Sequence, residues 1–449
     1  MALIEGAVIQ FTDGTTGTVR SMIGQGGQGE VYKIDYQGAT KALKWFKTHP
    51  GTEVSRSIQA NILRRSTLPD YFFWPIAVCD NQLGFGYVMD LVDTDTFIEL
   101  KKFIYKAEKY YFKSWRAIIN ACLHLCVAFK RLHAYGLAYF DMNLGNFFFN
   151  PQNGDLIIID TDNIASAGGI VTNVQGTLGY MAPEIVSFKI PDGVSGSEKL
   201  KYVPRPNRYT DYCSLAFILF RIIFIDHPLE GKFLNRYPCM TAKVKKYIYG
   251  ENPVFIYDPH NENNRPIASD SPTVVARWSL VPLYVRDVRD IFIDAFSKEK
   301  FDNPALRLME NEWIKILTKW RSHLSRCPHC SKETDLKYSD NALCVRCGQS
   351  STVYWMKVVG QKMTLPLVDG YILYGNQLGL DNNYFNVIAQ IRMHPNTGIM
   401  AMRNTSTFDW IVSTLDNKSK IVRPKEVIDI HDHMRIKFGN YNNAEIRLR

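Results

Sequence analysis

The sequence predicts an α+β chain in three parts: a strand-then-helix body, a small cysteine-bounded segment and an all-β sandwich. Three observations predict it. Residues 1 to about 110 carry short β-type runs with Gly-rich turns, such as "EVYKIDYQGATKALKWF", and one helical candidate near Val54–Arg65. From 114 to about 320, apolar residues recur every three to four positions, as in "WRAIINACLHLCVAFKRLHAYG", the period of helices packed on a core. After Ser350 short alternating runs are separated by turns at "VDGY", "HPNTG" and "LDNKSK", a spacing that suits a sandwich of about a hundred residues.

A chain of 449 residues exceeds one ordinary domain, so two or three are expected. With 46% apolar and 22% charged residues, the balance is that of a folded, soluble protein. The net charge of +9 is spread along the chain with no Lys/Arg run of five or more, so it reads as a solvated surface and nucleic-acid binding is not expected. The run "SLAFILFRIIFI" contains Arg221 and is too short to span a bilayer; it suits a buried helix, and no membrane association is expected. The N-terminus lacks the basic-then-apolar layout of a secretion signal, so the expected compartment is the cytoplasm. Cys79, Cys122, Cys126, Cys213 and Cys239 then read as reduced, small core residues. The polar segment "DGVSGSEKLKYVPRPNRY" reads as a loop between helical runs.

The chemistry-bearing residues come in order along the body. Gly24-Gln-Gly26-Gly-Gln-Gly29 precedes Val31 between two strands, and glycines there let backbone N–H groups approach phosphates. A dinucleotide-binding version of this pattern would be followed by a helix; here the strand "EVYKI" follows. In "KALK", strand alternation puts Ala42 and Lys44 on one face, where a small residue can roof a flat base and a lysine can reach phosphates. Lys41 faces the other way and reads as a solvated charge. Asp141 and Asn146 stand five apart in "GLAYFDMNLGNFFFN", and Asp160 ends the apolar run of "GDLIIIDTDN". A carboxylate and an amide oxygen are hard donors of the kind Mg²⁺ takes. Taken singly these are a glycine turn, a surface lysine and a turn-capping aspartate. "GTLGYMAPEI" follows them in order.

Together these elements resemble the protein-kinase family of the bacterial Hanks type, over roughly residues 15 to 320. The resemblance implies a bilobal kinase fold in 1–320, with an N-lobe of about 1–92 and a C-lobe of about 93–320. It implies ATP, with Mg²⁺ or Mn²⁺, as cofactors and a protein as substrate. Gly24, Gly26 and Gly29 would cover the phosphates, Lys44 would bind them, and Asn146 and Asp160 would hold the metal. Asp141 would orient or deprotonate the acceptor hydroxyl. Val31, Ala42 and Met89 would line the adenine pocket, with Asp90 to Val92 as its hinge. Asp211 resembles the buried aspartate that anchors the catalytic loop, and Glu184 with Arg307 the C-lobe ion pair.

Four departures bear on mechanism. Tyr139 and Phe140 replace the usual His-Arg; losing that arginine implies control without a phosphate clamp, so alanine at Ser166 and Thr172 is expected to leave activity nearly unchanged. Asn143 replaces the lysine that steadies the transferring phosphate, an amide in place of a charge. Thr161 and Asp162 replace the Phe-Gly of the usual triplet, and Asp162 is read as near the metal. The helical glutamate that partners the lysine is missing: Glu53 comes early, and Gln59 is better spaced. Small-molecule phosphotransferases share the D-x4-N loop but lack the "APE" segment, and Thr177 resembles a Ser/Thr-kinase feature, so Ser/Thr transfer to protein is preferred. The alternative from another class is a pseudokinase scaffold.

"CPHCSKETDLKYSDNALCVRCG" supplies Cys327, Cys330, Cys344 and Cys347 as two C-x2-C knuckles thirteen residues apart, the spacing of a structural zinc site closed by four thiolates. His329, between ligands, is not expected to bind. The patch (325–350) resembles a zinc ribbon. The tail (351–449) weakly resembles a forkhead-associated sandwich: Asn404 and Ser406 match part of the phosphothreonine-reading pattern, but Asn376 follows Gly375 where that family has arginine, so a structural or docking role is preferred. The three-part arrangement is similar to bacterial kinases of tellurite-resistance phosphorylation systems, which implies a cognate phosphatase and a von Willebrand-type protein as partners.

Overall fold

The structure is a computed structural model and describes residues 2–166, 176–195, 198, 202–284, 287–327, 329–335, 344, 346–350, 353–379, 382, 384–413 and 418–448. The chain divides into two compact units. The first is Met1–Lys113, Asn120–Arg277 and Ile291–Trp313; the second is Ser114–Ile119, Trp278–Asp290 and Ile314–Arg449.

The first unit opens with β1 (Val8–Gln10), β2 (Thr16–Gln25), β3 (Gly29–Tyr36), β4 (Ala39–Phe46), helix α1 (Thr52–Leu63), β5 (Ala77–Asn81) and β6 (Gly84–Met89). The strands form an antiparallel sheet in the order β1-β2-β3-β4-β6-β5. β-branched and aliphatic side chains at Val19, Ile34, Leu43 and Val88 fill one face of it with no exposed area. α1 buries Val54, Ser55, Ile58 and Asn61, one stripe at helical spacing.

The helical part is built on α2 (Trp115–Ala134) and α3 (Arg208–Phe224). α3 starts at a capping box in which Asn207 Oδ1 accepts from Tyr209 N, and Thr210 Oγ1 accepts from Asn207 N. It ends where Ile225 turns left-handed, at φ 68°. The run "SLAFILFRIIFI" lies on this helix and is buried; Arg221 is buried with it and donates to Tyr180 Oη at 2.5 Å. Cys79, Cys122, Cys126 and Cys213 are buried as expected, but Cys239 is exposed, because it stands on a loop just before Thr241 caps the next helix. Among the described residues no helix is long and apolar enough to cross a membrane.

The second unit carries a six-stranded and a four-stranded sheet around one core. Trp355, Trp410 and Ile446 from the larger sheet meet Ile388, Ile391 and Met402 from the smaller. The turns at "VDGY" and "HPNTG" use Gly370 and Gly398 at φ 79° and 69°, which only glycine adopts freely. Most of "LDNKSK" lies outside the described residues, but the strands on either side, Trp410–Ser413 and Ser419–Val422, pair.

Candidate active site

The glycine loop is a hairpin tip between β2 and β3, closed by Gly26 N donating to Gly29 O at 2.8 Å. Its glycines separate into two kinds. A Cβ on Gly29 would lie 2.4 Å from the Trp45 carbonyl oxygen, so packing against β4 requires glycine there. A Cβ on Gly24 or Gly26 would meet nothing closer than 3.9 Å. The fold does not demand glycine at those two positions; a backbone kept bare for a ligand would. Beneath the loop, Val31, Ala42, Met89 and Leu91 belong to one apolar cluster, with Ala42 directly opposite Met89 in the sheet. Asp90 and Val92 follow, both half-buried. The Asp90 carboxylate accepts from Lys41 Nζ at 2.6 Å and Arg65 at 2.8 Å. Lys41 is therefore paired and not a free solvated charge: the register that sets Ala42 against Met89 brings it beside Asp90.

Lys44 is almost fully buried. Its ammonium donates to an Asp160 oxygen, to both Asp162 oxygens at 2.8 and 2.9 Å, and to Gln28 Oε1 at 3.3 Å. Burial opposes the charge, but the two carboxylates outweigh it and hold the lysine pKa above its ordinary value. Asp160 is raised to about 6: burial pushes it up, Lys44 pulls it down, and the neighbouring Asp162 and Asp141 charges add to the rise. Asp160 sits at φ 62°, ψ 44°, a left-handed conformation that costs a non-glycine residue on the order of 1 kcal/mol and that clusters at functional sites. Neither candidate on α1 reaches the lysine. Glu53 is exposed and paired with Arg56, and Gln59 is exposed.

The Asp141 loop is held from three sides. Leu137–Tyr139 pairs with Ile164–Ser166, and Phe140 N donates to Asn163 O at 2.9 Å, so the loop lies against the Asp160 turn. Tyr139 N donates to buried Asp211 at 2.9 Å, and Tyr139 Oη donates to Ile159 O at 2.9 Å. Within the loop, Asn146 Nδ2 donates to Asp141 O at 2.9 Å, Asn143 Nδ2 lies 3.2 Å from Asp141 Oδ2, and Asn143 Oδ1 accepts from Gly145 N at 2.8 Å. Thr177 Oγ1 donates to Asp141 Oδ1 at 2.8 Å. With its NH₂ engaged, Asn146 keeps its amide oxygen, and this oxygen with the Asp160 carboxylate is a donor set that fits Mg²⁺. Phe140 is buried in the apolar interior. Ser166 ends its strand exposed, while Thr172 lies outside the described residues. Further along the unit, Arg307 and Glu184 form a bidentate pair at 2.7 and 2.8 Å.

In the second unit, Cys327, Cys330, Cys344 and Cys347 bring their sulfurs within 4.8 Å of one another. Cys327–Cys347 and Cys330–Cys344 are 3.8 Å apart, and thiolates at tetrahedral zinc, about 2.3 Å from the ion, are separated by about 3.8 Å. Both knuckles have the same turn: Ser331 N donates to Cys327 O and Gly348 N to Cys344 O, with positive φ at Ser331 and Gly348. The four thiols can hold a zinc ion. His329 instead meets the Ser350 carbonyl. Asn404 and Ser406 are buried and spent internally: Asn404 bonds Phe408 O, Val422 O and Ser406, and Ser406 Oγ accepts from Trp410 Nε1. Asn376 accepts from buried Arg321.

This arrangement of loop, lysine and acidic turn has a counterpart among known families. The family model of the protein kinase domain matches residues 18–261, more than half of the chain, and the chain belongs to the protein kinase family. No curated protein matches it. Membership implies phosphotransfer with ATP and a divalent metal, and a protein as substrate. The fold class expected from the sequence holds: mixed helices and sheets in the kinase body, then a β-rich region with its cysteine cluster. Sequence reasoning missed one residue of the site and the role of another. Tyr87 and the lysine-binding role of Asp162 carry no local spacing signal, although the register of β4 against β6 sets Tyr87 directly opposite Lys44.

Proposed function

We propose that the chain is a Mg-ATP-dependent serine/threonine protein kinase whose chemistry rests on Lys44, Asp141, Asn146 and Asp160. One observation carries the reading. Lys44 Nζ lies on the carboxylate of Asp160, 116 residues away in sequence, while the adjoining loop presents Asp141 to a hydroxyl, that of Thr177, at 2.8 Å.

In this reading the backbone N–H groups of Gly24–Gly29 face the phosphates, and Val31, Ala42 and Met89 enclose the adenine beside the Asp90–Val92 hinge. Lys44 neutralises the α- and β-phosphates. Asp141 orients the acceptor hydroxyl and takes its proton, and Asn143 supplies an amide hydrogen bond where relatives have a lysine charge. Asn146 and Asp160 would hold a magnesium ion, which when bound would supply positive charge to the transferring phosphoryl group. Thr177 beside Asp141 supports Ser/Thr preference. The kinase region would be 1–320, the ribbon 325–350 and the sandwich 351–449, with the ribbon holding zinc and the forkhead-associated-like sandwich docking partners. The internal use of Asn404 and Ser406 supports docking over phosphopeptide reading. The resemblance to tellurite-resistance systems supports a bacterial, cytoplasmic setting with a phosphatase and a von Willebrand-type protein as partners.

The test is transfer of labelled phosphate to the chain itself and to candidate proteins, by wild type, Asp141→Ala and Asp160→Ala. Loss of either residue should slow transfer by about 10²–10⁴. ATP binding without any transfer would mark a pseudokinase scaffold instead.

A further inference from the structure

The active-site lysine has no acidic partner on α1. The helix has one acidic residue, Glu53, which is exposed and paired with Arg56; Gln59 is exposed as well. The lysine is nonetheless bound, and Asp162 binds it. The Asp162 side chain is 3% exposed, and both of its oxygens accept from Lys44 Nζ. One of them also accepts from Tyr87 Oη at 2.6 Å. Burial, and then the Asp162 charge, raise the Tyr87 pKa well above its ordinary value, so the hydroxyl stays protonated and donates. Lys44 and Tyr87 are direct cross-strand neighbours on β4 and β6, so their side chains leave the same face of the sheet. Asp162 rises to meet them from the turn Thr161–Asn163 that also carries Asp160.

We infer that Asp162, held by Tyr87, is the positioning residue for Lys44 and takes the place of a helical acidic partner. This rests on the kinase reading above. Asp162 acts through the lysine: both of its oxygens accept from the ammonium, and one accepts from the phenol as well. When Asp160 turns to a metal ion, Lys44 keeps Asp162 and stays aimed at the phosphates. Because the anchor stands on the metal-binding turn and on β6, the lysine needs no acidic side chain from α1.

The experiment measures kcat and KM for MgATP, and the melting temperature, for wild type, Asp162→Asn, Asp162→Glu, Tyr87→Phe and the double variant Glu53→Ala/Gln59→Ala. It adds a structure of the wild-type chain with Mg²⁺ and a non-hydrolysable ATP analogue. Asp162→Asn should lower kcat by about 10- to 100-fold, the effect of a misplaced charge, at saturating ATP and whatever the Mg²⁺ concentration. Asp162→Glu should lose less. Tyr87→Phe should lose about fivefold, one buried hydrogen bond. The α1 double variant should stay within about twofold of wild type. In the analogue complex Lys44 should remain on Asp162. The inference is overturned if Asp162→Asn turns over like wild type, if excess Mg²⁺ restores it, or if the α1 variant loses as much. A complex in which Asp162 ligates the ion and Lys44 has left it also overturns it. An inactive wild type would count against the kinase reading, and the complex would still decide the anchor. Were Asp162→Asn to unfold, Tyr87→Phe and the complex would decide.

Discussion

One carboxylate oxygen of Asp211 receives both the backbone N–H of Tyr139 and the His133 imidazole, each at 2.9 Å. The other imidazole nitrogen meets Glu310, and all three side chains are buried. The loop that carries Asp141 is thus tied to a charged cluster under it. Burial disfavours the imidazolium, but the hydrogen bonds to Asp211 and Glu310 outweigh it and hold the His133 pKa at about 9. That exceeds the ordinary histidine value of about 6.5, so its stabilisation is full below about pH 6.5 and is lost as pH rises through about 9. Melting followed by circular dichroism should show the first unit losing several degrees between those limits. His133→Gln should start lower and flatten that slope; an unchanged slope would place the titration elsewhere.

The two kinds of glycine in the hairpin give opposite expectations. Gly29→Ala places a Cβ against the Trp45 carbonyl and should destabilise the chain by about 1–3 kcal/mol. Gly26→Ala meets only ordinary contact and should leave the melting temperature unchanged. It should instead raise KM for ATP by about tenfold, roughly one charge-assisted hydrogen bond. Denaturation curves and ATP titrations separate the two.

Asn143 braces its own loop. Asn143→Ala removes the contact to Asp141 and the acceptor for Gly145 N, and should lower kcat by about tenfold with little change in KM. Asn143→Asp puts a like charge beside Asp141 and should cost more. Steady-state kinetics on both variants checks the order.

The cysteine cluster predicts one tightly held zinc ion per chain, read by metal analysis of the purified protein. Zinc binding in such sites contributes about 10 kcal/mol or more to folding, so chelation should lower the melting of the second unit by many degrees. Cys344→Ser should have the same effect without chelator.

The sequence exposes this site unevenly, and the reason is physical. Asp141 with Asn146, Asp160 after its apolar run and the two C-x2-C pairs are local patterns, because one turn or one short strand sets the geometry they need. The Lys44 partner is different. It is decided by which residue stands opposite on β6 and by how the Thr161–Asn163 turn folds under the sheet, 118 residues along the chain. Asp162 was therefore readable as an extra carboxylate near the metal, while its contact with the lysine was not. His133 shows the same limit: its partner Glu310 is 177 residues away. Cys239 is exposed against expectation because apolar neighbours in sequence say little about a loop position.

The most direct measurement is transfer of ³²P from labelled ATP, with Mg²⁺, to the chain itself and to candidate proteins, comparing wild type with Asp141→Ala and Asp160→Ala. The account predicts label on serine or threonine with wild type, and loss of about 10²-fold or more with each variant. Equal labelling by all three, or none by a wild type that binds ATP, would contradict it.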